Sequence, residues 1–370
     1  MTGGYGPPPM TDEPSDAYPD MEVESRPDRK KAIIAVSIAV VVAVIVFGVI
    51  FPQLVDWNEV FDVLRGVDKV DFALILLLGA LRWIPSGWIY SIVLPGLSVK
   101  NGTQAWVATT GVGSTVPGSD LVLRVAMYRS WGFALERTMS GMFLSGIVEM
   151  ATKLTLATLA VLLWGLYRLD LNALAIAAIA AAVIGLAAAV VALILRSERN
   201  ARKFGEFVQR SAVWLFRKLE REAPDGLVER VLAVRLEARD VLGHRWPRAF
   251  LAAFIAQLFV YLILLYSIRT VGLDSDVLSW VDVLIAYAIT TIITAIPISP
   301  GGVGIAELAL VGVFSLIAGN DIAGIATAGV IIYRISVWLL PIVVGWLAAL
   351  RWQATSGARI FGGAAEQPSD

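Results

Sequence analysis

Seven ionisable side chains lie within long apolar stretches of this 370-residue sequence: Arg82, Asp120, Arg124, Glu149, Lys153, Glu307 and Arg334. An ionised side chain inside a bilayer is costly, usually faces the interior of a helix bundle and often marks a pathway for an ion or substrate. Arginine suits phosphate because its guanidinium is planar, permanently charged and able to donate two parallel hydrogen bonds. These residues therefore predict the binding of an anionic headgroup at membrane depth.

Two pairs of these residues place opposite charges one helical turn apart. Asp120 and Arg124 are four residues apart, and so are Glu149 and Lys153. Each pair therefore shares a helix face and can form an ion pair. One interpretation is that the pairs only neutralise each other inside the bundle, and the other is that they face a substrate.

Arg82 and Arg334 have no opposite charge within one helical turn. Each must find a distant partner, reach the membrane interface or bind an anion. The structural interpretation is a bridge between Glu307 and Arg334. In the functional interpretation, Arg124 and Arg334 hold a phospholipid headgroup. Glu307 and Asp120 then compete for these arginines when the site is empty.

Two apolar segments are interrupted by helix-breaking residues. Segment 101–130 contains STVPGSD, and segment 280–320 contains AIPISPGGVGIAE. Proline lacks a backbone donor and glycine loosens a helix, so the freed backbone groups need partners in protein or water rather than lipid. We therefore predict a re-entrant helical hairpin in each segment.

The break residues are also candidates for the binding site, because a helix N-terminus after each break offers backbone amides and a positive dipole end to a phosphate. Close helix packing alone would also explain the glycines. The break residues counted with the site are Pro117, Gly118, Pro297, Pro300, Gly301, Gly302 and Gly304.

Composition places the chain among polytopic membrane proteins. Hydrophobic residues make up 57% of the sequence and charged residues only 16%, and the apolar runs are too long for the core helices of a soluble domain. The sequence has no Cys, and its one His, His244, lies in a charged loop. Catalysis by Cys or His, a Cys metal site and a nucleotide-binding loop are not expected, and no cofactor or metal is predicted.

The basic residues determine the predicted topology. Arg26, Arg29, Lys30 and Lys31 precede the first apolar run and place the N-terminus in the cytoplasm by the positive-inside rule. The stretch 196–248 holds thirteen Lys or Arg against eight Asp or Glu, with apolar residues at helical spacing. We predict a cytoplasmic linker with interfacial helices that binds anionic lipid headgroups and not nucleic acid.

The order of the predicted spans is an inverted repeat. The all-α bundle has six spans, at 32–55, 72–95, 138–166, 171–195, 249–268 and 322–350. The halves 32–195 and 249–350 enter their hairpins from opposite sides, and cytoplasmic tails cover 1–31, which is expected to be disordered, and 351–370. In transporters such repeats place broken helices and the substrate near the bilayer midplane.

The two break regions carry a family resemblance. TVPGSDLVLRVAMYR at 115–129 and PISPGGVGIAE at 297–307 resemble the signature regions of the lysylphosphatidylglycerol synthase transmembrane-region family, whose members include the flippase portion of MprF-type proteins. The resemblance covers about residues 32–350. Pro117, Gly118, Asp120 and Arg124 fit the first region with slightly altered spacing. Glu149 is followed by Met150 where the family commonly has Arg, so the role of that Arg does not carry over.

The resemblance implies movement of a lipid between leaflets. Lipid-aminoacylating members carry a soluble domain after the membrane region, and this sequence ends about twenty residues after its last predicted span, so synthase activity is expected to be absent. We expect a flippase-like transporter, not an enzyme, in the inner cell membrane, which moves an anionic phospholipid or a polyprenyl-phosphate-linked lipid.

Two alternatives stay open. One is a membrane-embedded enzyme or accessory subunit in envelope glycolipid or lipid-modification synthesis. The other is a scaffold that binds lipid or a soluble synthase through 196–248. A homo-oligomer or an envelope-synthesis enzyme stays open as a partner.

Overall fold

The computed structural model describes residues 57–116, 118–218, 226–228, 232, 235–236, 245–295 and 302–356. Throughout these ranges the regular secondary structure is helical, as the sequence predicts. The predicted tail 1–31, the first predicted span 32–55 and most of 219–244 lie outside the described residues.

The helices follow one another with short connections. In chain order they are α1 (Trp57–Gly66), α2 (Lys69–Leu81), α3 (Trp83–Val93), α4 (Val99–Thr115), α5 (Ser119–Ser130), α6 (Leu135–Arg168), α7 (Leu171–Arg196), α8 (Glu198–Lys218), α9 (Trp246–Thr270), α10 (Trp280–Ile293), α11 (Ile305–Ala318), α12 (Ala323–Arg334) and α13 (Leu340–Ser356). A 3₁₀ turn at Asn320–Ile322 precedes α12, and a π-helical segment at Ile335–Leu339 joins α12 to α13.

Local sequence determines where several helices begin. The Asp68 side chain accepts a hydrogen bond from the backbone of Val70 at the start of α2, and the Ser98 hydroxyl accepts one from Asn101 at the start of α4. Ser279 and Asp282 form a reciprocal capping box at the start of α10. Such side chains satisfy amides that would otherwise lack a partner in the first turn.

Four helical segments in the described ranges are long and apolar enough to cross a membrane. They are Lys69–Val93, Leu135–Arg168, Trp246–Thr270 and Asn320–Ser356. The apolar part of α7 found by the same criteria, Leu171–Leu186, is shorter. The protein is therefore a multi-pass membrane protein with an all-α bundle, and the four segments overlap four of the six predicted spans.

Both segments with predicted hairpins are divided into two short helices. Helix α4 ends at Thr115 and α5 begins at Ser119, whereas α10 ends at Ile293 and α11 begins at Ile305. Gly118 and Gly304 precede the second helix of each pair with φ angles of 78° and 83°, which a residue with a Cβ rarely adopts. Entry of these pairs into the bilayer from opposite sides stays a prediction.

The two helix pairs pack in different parts of the bundle. Helices α4 and α5 share a hydrophobic core with α3 and α13, whereas α10 and α11 share the larger core with α2, α6, α9 and α12. Helices α4 and α13 pack closely at Gly111 and Gly345. A Cβ on Gly345 would lie 2.4 Å from the Val107 carbonyl oxygen and 2.8 Å from the Gly111 Cα. This contact joins the first helix pair to the C-terminal end of the bundle.

Candidate functional site

Arg124 on α5 is held by hydroxyl groups from two other helices. Its Nη1 donates to the Tyr90 hydroxyl of α3 at 2.5 Å, and its Nη2 donates to Thr109 Oγ1 of α4 at 2.8 Å. The guanidinium carbon also lies 4.6 Å from the centre of the Tyr90 ring, within cation–π range. The positive charge is thus oriented by neutral groups.

The Tyr90 hydroxyl connects Arg124 to a carboxylate on another helix. The Tyr90 hydroxyl donates to Glu149 Oε1 on α6 at 3.4 Å. The Arg124 Nε is buried and has no hydrogen-bond partner within the described ranges. We call Arg124, Tyr90, Thr109 and Glu149 the Arg124 group.

The two ion pairs suggested by spacing do not form. Across the described residues, neither Asp120 with Arg124 nor Glu149 with Lys153 comes within ion-pair distance. Asp120 is exposed in the first turn of α5, where the helix dipole favours a negative charge. Its Cβ lies against Gly113, where an added Cβ would be only 2.7 Å away. A shared helix face was therefore not sufficient to pair these charges.

Glu307 and Arg334 form the bridge of the structural interpretation. The Glu307 Oε1 lies 2.6 Å from the Arg334 Nε, and the Glu307 side chain is buried. The other carboxylate oxygen, Oε2, accepts a hydrogen bond from the backbone amide of Gly304 at 2.7 Å. The N-terminus of α11, where the sequence predicted a seat for phosphate, therefore holds a carboxylate of its own helix.

Arg82 occupies the junction between α2 and α3. It is 7% exposed, its Nη2 donates to the Val337 carbonyl at 3.2 Å, and its guanidinium lies 5.2 Å from the centre of the Trp106 ring. Its Nε has no hydrogen-bond partner among the residues that the structure describes. Arg82 itself has helical backbone angles, and it lies within the helical segment Lys69–Val93 that overlaps the predicted span at 72–95.

The π-helical segment Ile335–Leu339 links Arg82 to the Glu307–Arg334 bridge. It begins directly after Arg334, whose guanidinium lies 5.3 Å from the Trp338 ring centre. Ser336 within it donates to the Ile75 carbonyl on α2 at 2.8 Å. Such insertions occur frequently at functional sites. We call Arg82, Glu307, Arg334 and the π segment the Glu307 group.

The structure thus places five of the seven predicted charged residues in two groups, and Asp120 and Lys153 belong to neither. Arg124 and Glu149 belong to the first, and Arg82, Glu307 and Arg334 belong to the second. Gly118, Gly302 and Gly304 have positive φ angles at the ends of the helix breaks. Pro117, Pro297, Pro300 and Gly301 lie outside the described residues.

The sequence analysis did not identify the hydroxyl and aromatic partners of the arginines. Tyr90, Thr109, Trp106 and Trp338 all contact the predicted arginines. A polar aromatic residue inside an apolar helix such as α3 is a weak signal, and its partner on α5 is 34 residues away. The described part of the chain contains no group of three His, Cys, Asp or Glu side chains able to hold a metal ion.

Comparison with known proteins bears directly on this architecture. Residues 34–354 match the family model described as lysylphosphatidylglycerol synthase TM region. No curated protein matches the chain. The family match includes both helix pairs and both charged groups, and it relates the protein to lipid modification or transport in a membrane. The chain therefore belongs to the lysylphosphatidylglycerol synthase transmembrane-region family.

Proposed function

We propose that the protein moves a lipid with a phosphate-bearing headgroup between the two leaflets of the membrane, and that Arg124 holds the phosphate. The lipid is an anionic phospholipid or a polyprenyl-phosphate-linked lipid. The observation that carries the proposal is the cationic Arg124 side chain, oriented by Tyr90 and Thr109 and not paired with a carboxylate within the described residues.

The balance of donors and acceptors around the arginines supports an anionic ligand. Within the described ranges, buried nitrogens without a hydrogen-bond partner include Arg82 Nε, Trp83 Nε1, Arg124 Nε and Trp338 Nε1. All four are donor-only groups, and buried polar groups are normally paired. A phosphate brings several acceptor oxygens and a negative charge, which is what such donors require.

Arg124 and Arg334, the two arginines predicted to hold the headgroup, differ in whether a carboxylate of the protein already binds them. Arg334 is already bridged to Glu307, whereas Asp120 does not reach Arg124. The proposed competition between carboxylate and phosphate therefore applies to Arg334 alone. In this mechanism the lipid phosphate binds Arg124 first, and Arg334 becomes available when Glu307 is displaced.

The packing of the helix pairs supports passage of the lipid between the halves. Arg124 lies on α5, whose partner α4 packs directly on α13, the continuation of the helix that carries Arg334. A change in the α4–α13 contact would therefore move the two groups relative to each other. Such coupled movement of repeat units is the expected basis of alternating access.

The test is translocation in liposomes that contain purified full-length protein. Fluorescent phosphatidylglycerol is incorporated in both leaflets, and dithionite added outside bleaches only the outer leaflet. We expect the wild-type protein to move labelled lipid from the inner to the outer leaflet, so that dithionite bleaches it as well. We expect the Arg124→Gln protein to leave the inner-leaflet fluorescence unbleached. Arg129→Gln on the same helix removes an equal charge from an exposed position and is expected to behave as wild type.

The same vesicles distinguish transport from the enzymatic alternative. Lipid extracts made after the assay show whether the labelled lipid is chemically unchanged. Unchanged lipid that moves between leaflets supports translocation. Modified lipid, or no movement under a proton gradient or a lipid gradient, would contradict the proposal.

A further inference from the structure

Helix α8 has three distinct sides, and the first of them packs against the protein. Ala201 and Gly205 on this side are buried, and a Cβ added to Gly205 would lie 3.0 Å from the Val228 Cα. The Gln209 side chain, one turn further on, accepts a hydrogen bond from the backbone amide of the residue before Val228, at 3.2 Å. The segment around Val228 therefore covers one side of α8.

The second side of α8 exposes three large aromatic residues to the surroundings of the protein. Phe204 is 39% exposed, Phe207 is 59% exposed and Trp214 is 66% exposed. Intervals of three and seven residues place them on one side of a helix. We call these three residues the aromatic side. An exposed apolar patch bordered by polar residues marks an interaction surface.

The third side of α8 is basic and borders the aromatic side. Arg199, Arg202, Lys203 and Arg210 are all exposed, and we call them the basic side. The whole helix has six Lys or Arg and two Glu, so its net charge is +4. Lys203 and Arg210 are seven residues apart and therefore lie along the same edge of the aromatic side. Long basic side chains at such an edge can reach charged groups beside an apolar surface.

Helix α8 begins where α7, a predicted span, ends. Helix α7 has 26 residues and no charged side chain before Arg196. Its length is about 39 Å at 1.5 Å per residue, which exceeds the roughly 30 Å of a bilayer's hydrocarbon core. Ser197 has an extended backbone, with φ −132° and ψ 126°, so the chain changes direction there. Asn200 donates to the Leu193 carbonyl at 3.2 Å, which holds the start of α8 against the end of α7.

We propose that α8 lies flat on the membrane surface and binds anionic lipids there. The aromatic side enters the boundary between headgroups and acyl chains, and the basic side contacts lipid phosphates. Helices of this kind combine apolar burial with electrostatic attraction to anionic lipids. The inference assigns the interfacial role predicted for 196–248 to particular sides of one helix. It goes beyond the proposed translocation and does not depend on it.

Two observations favour a lipid surface over a soluble acidic partner. The start of α8 is held at the end of a predicted span, and aromatic residues are enriched at the boundary between bilayer and water. The aromatic side also runs from Phe204 to Trp214, a distance of about 15 Å along the helix axis. An extended row of this kind fits a flat surface.

The test uses the absence of Cys from the sequence, because one introduced Cys then carries a spin label at a single chosen position. Phe207→Cys places the label on the aromatic side of the full-length protein. Glu206→Cys is the matched control, since Glu206 is also exposed and precedes Phe207 in α8 but lies among the basic residues. Each protein is placed in nanodiscs of phosphatidylcholine, with or without phosphatidylglycerol. The accessibility of the label to oxygen and to a water-soluble nickel complex is measured.

We expect a several-fold higher ratio of oxygen to nickel accessibility for Phe207→Cys than for Glu206→Cys when phosphatidylglycerol is present. The reason is that oxygen concentrates in the bilayer and the nickel complex stays in water. Removal of phosphatidylglycerol should lower the Phe207→Cys ratio. Adding Lys203→Gln and Arg210→Gln to the Phe207→Cys protein should lower it in the same way, because both changes weaken the electrostatic attraction.

Three results would overturn the proposal. Equal ratios for the two labels in the presence of phosphatidylglycerol would show that the aromatic side does not enter the bilayer. A Phe207→Cys label that neither probe reaches would show that protein covers this side, from the same chain, a second copy or a partner. A ratio that does not change without phosphatidylglycerol would reject the role of anionic lipid. None of these results bears on Arg124-dependent translocation.

Discussion

At the scale of single residues, the Tyr90 hydroxyl is the link between a cation and a carboxylate. The hydroxyl accepts a hydrogen bond from Arg124 and donates one to Glu149. It therefore orients the arginine and connects it to the carboxylate. Tyr90→Phe removes both bonds while keeping the aromatic ring. We expect a loss of about 1–2 kcal/mol in the free energy of unfolding and a several-fold slower translocation rate.

Tyr261→Phe is the control for this substitution. The Tyr261 hydroxyl donates to the Trp280 carbonyl at 2.9 Å, away from the Arg124 group. Its removal should cost similar stability and leave translocation unchanged. If both variants slowed translocation equally, the effect of Tyr90→Phe would reflect stability alone and the positioning role of Tyr90 would be rejected.

The contribution of the Glu307–Arg334 ion pair to stability can be tested by substituting one or both of its residues. Glu307→Gln leaves the Arg334 charge buried beside a neutral amide, and breaking a buried ion pair by removing one partner typically costs about 3–5 kcal/mol. The double variant Glu307→Gln with Arg334→Met removes both charges and should be more stable than Glu307→Gln alone. Unfolding in mixed micelles is measured for the wild-type, Glu307→Gln, Arg334→Met and double-variant proteins. Additive losses in the double variant would show that the two side chains are not coupled.

At the scale of helices, the contact between α4 and α13 depends on two glycines. Gly345→Ala would place a Cβ 2.4 Å from the Val107 carbonyl oxygen, so the helices must separate. Overpacking of this kind costs about 1–3 kcal/mol, and we expect a lower melting temperature together with slower translocation. Gly146→Ala on α6 is the control, because nothing lies within 4 Å of its added Cβ. Equal melting temperatures for the two variants would mean that α4 and α13 are less tightly packed at Gly345 than the structure shows.

The helix breaks could be predicted because their causes are local. A start of α11 near Gly304 was expected from the glycine-rich sequence, and the structure has Gly304 as the residue before that helix. Gly118 precedes α5 in the same way. Glycine adopts positive φ angles at little cost, so a glycine beside a proline in an apolar segment is a local signal for such a point.

The partners of the buried charges could not be predicted because they depend on tertiary packing. Spacing along one helix suggested Asp120 for Arg124, but α3 and α4 bring hydroxyl groups closer. The Glu307–Arg334 bridge joins two helices, and was one of two interpretations before their packing was known. The Arg82 side chain donates to the Val337 carbonyl, 255 residues later in the chain, and no local pattern reveals this contact.

At the scale of the whole molecule, the two arginines proposed to hold the headgroup have different partners. Arg334 forms a direct ion pair with Glu307, whereas Arg124 bonds to two hydroxyl groups and is connected to Glu149 through Tyr90. During transport the lipid phosphate would bind first at Arg124, which has no direct carboxylate partner in the described structure, and then at Arg334 after Glu307 is displaced. The central claim is therefore that the phosphate binds at Arg124.

The most direct measurement is the initial rate of phosphatidylglycerol translocation by Arg124→Gln and Arg129→Gln in matched proteoliposomes. We predict a rate near that of protein-free vesicles for Arg124→Gln and a wild-type rate for Arg129→Gln, with a cooperative melting transition well above the assay temperature confirming that each protein is folded. A folded Arg124→Gln protein that translocates the lipid as fast as Arg129→Gln would contradict the account.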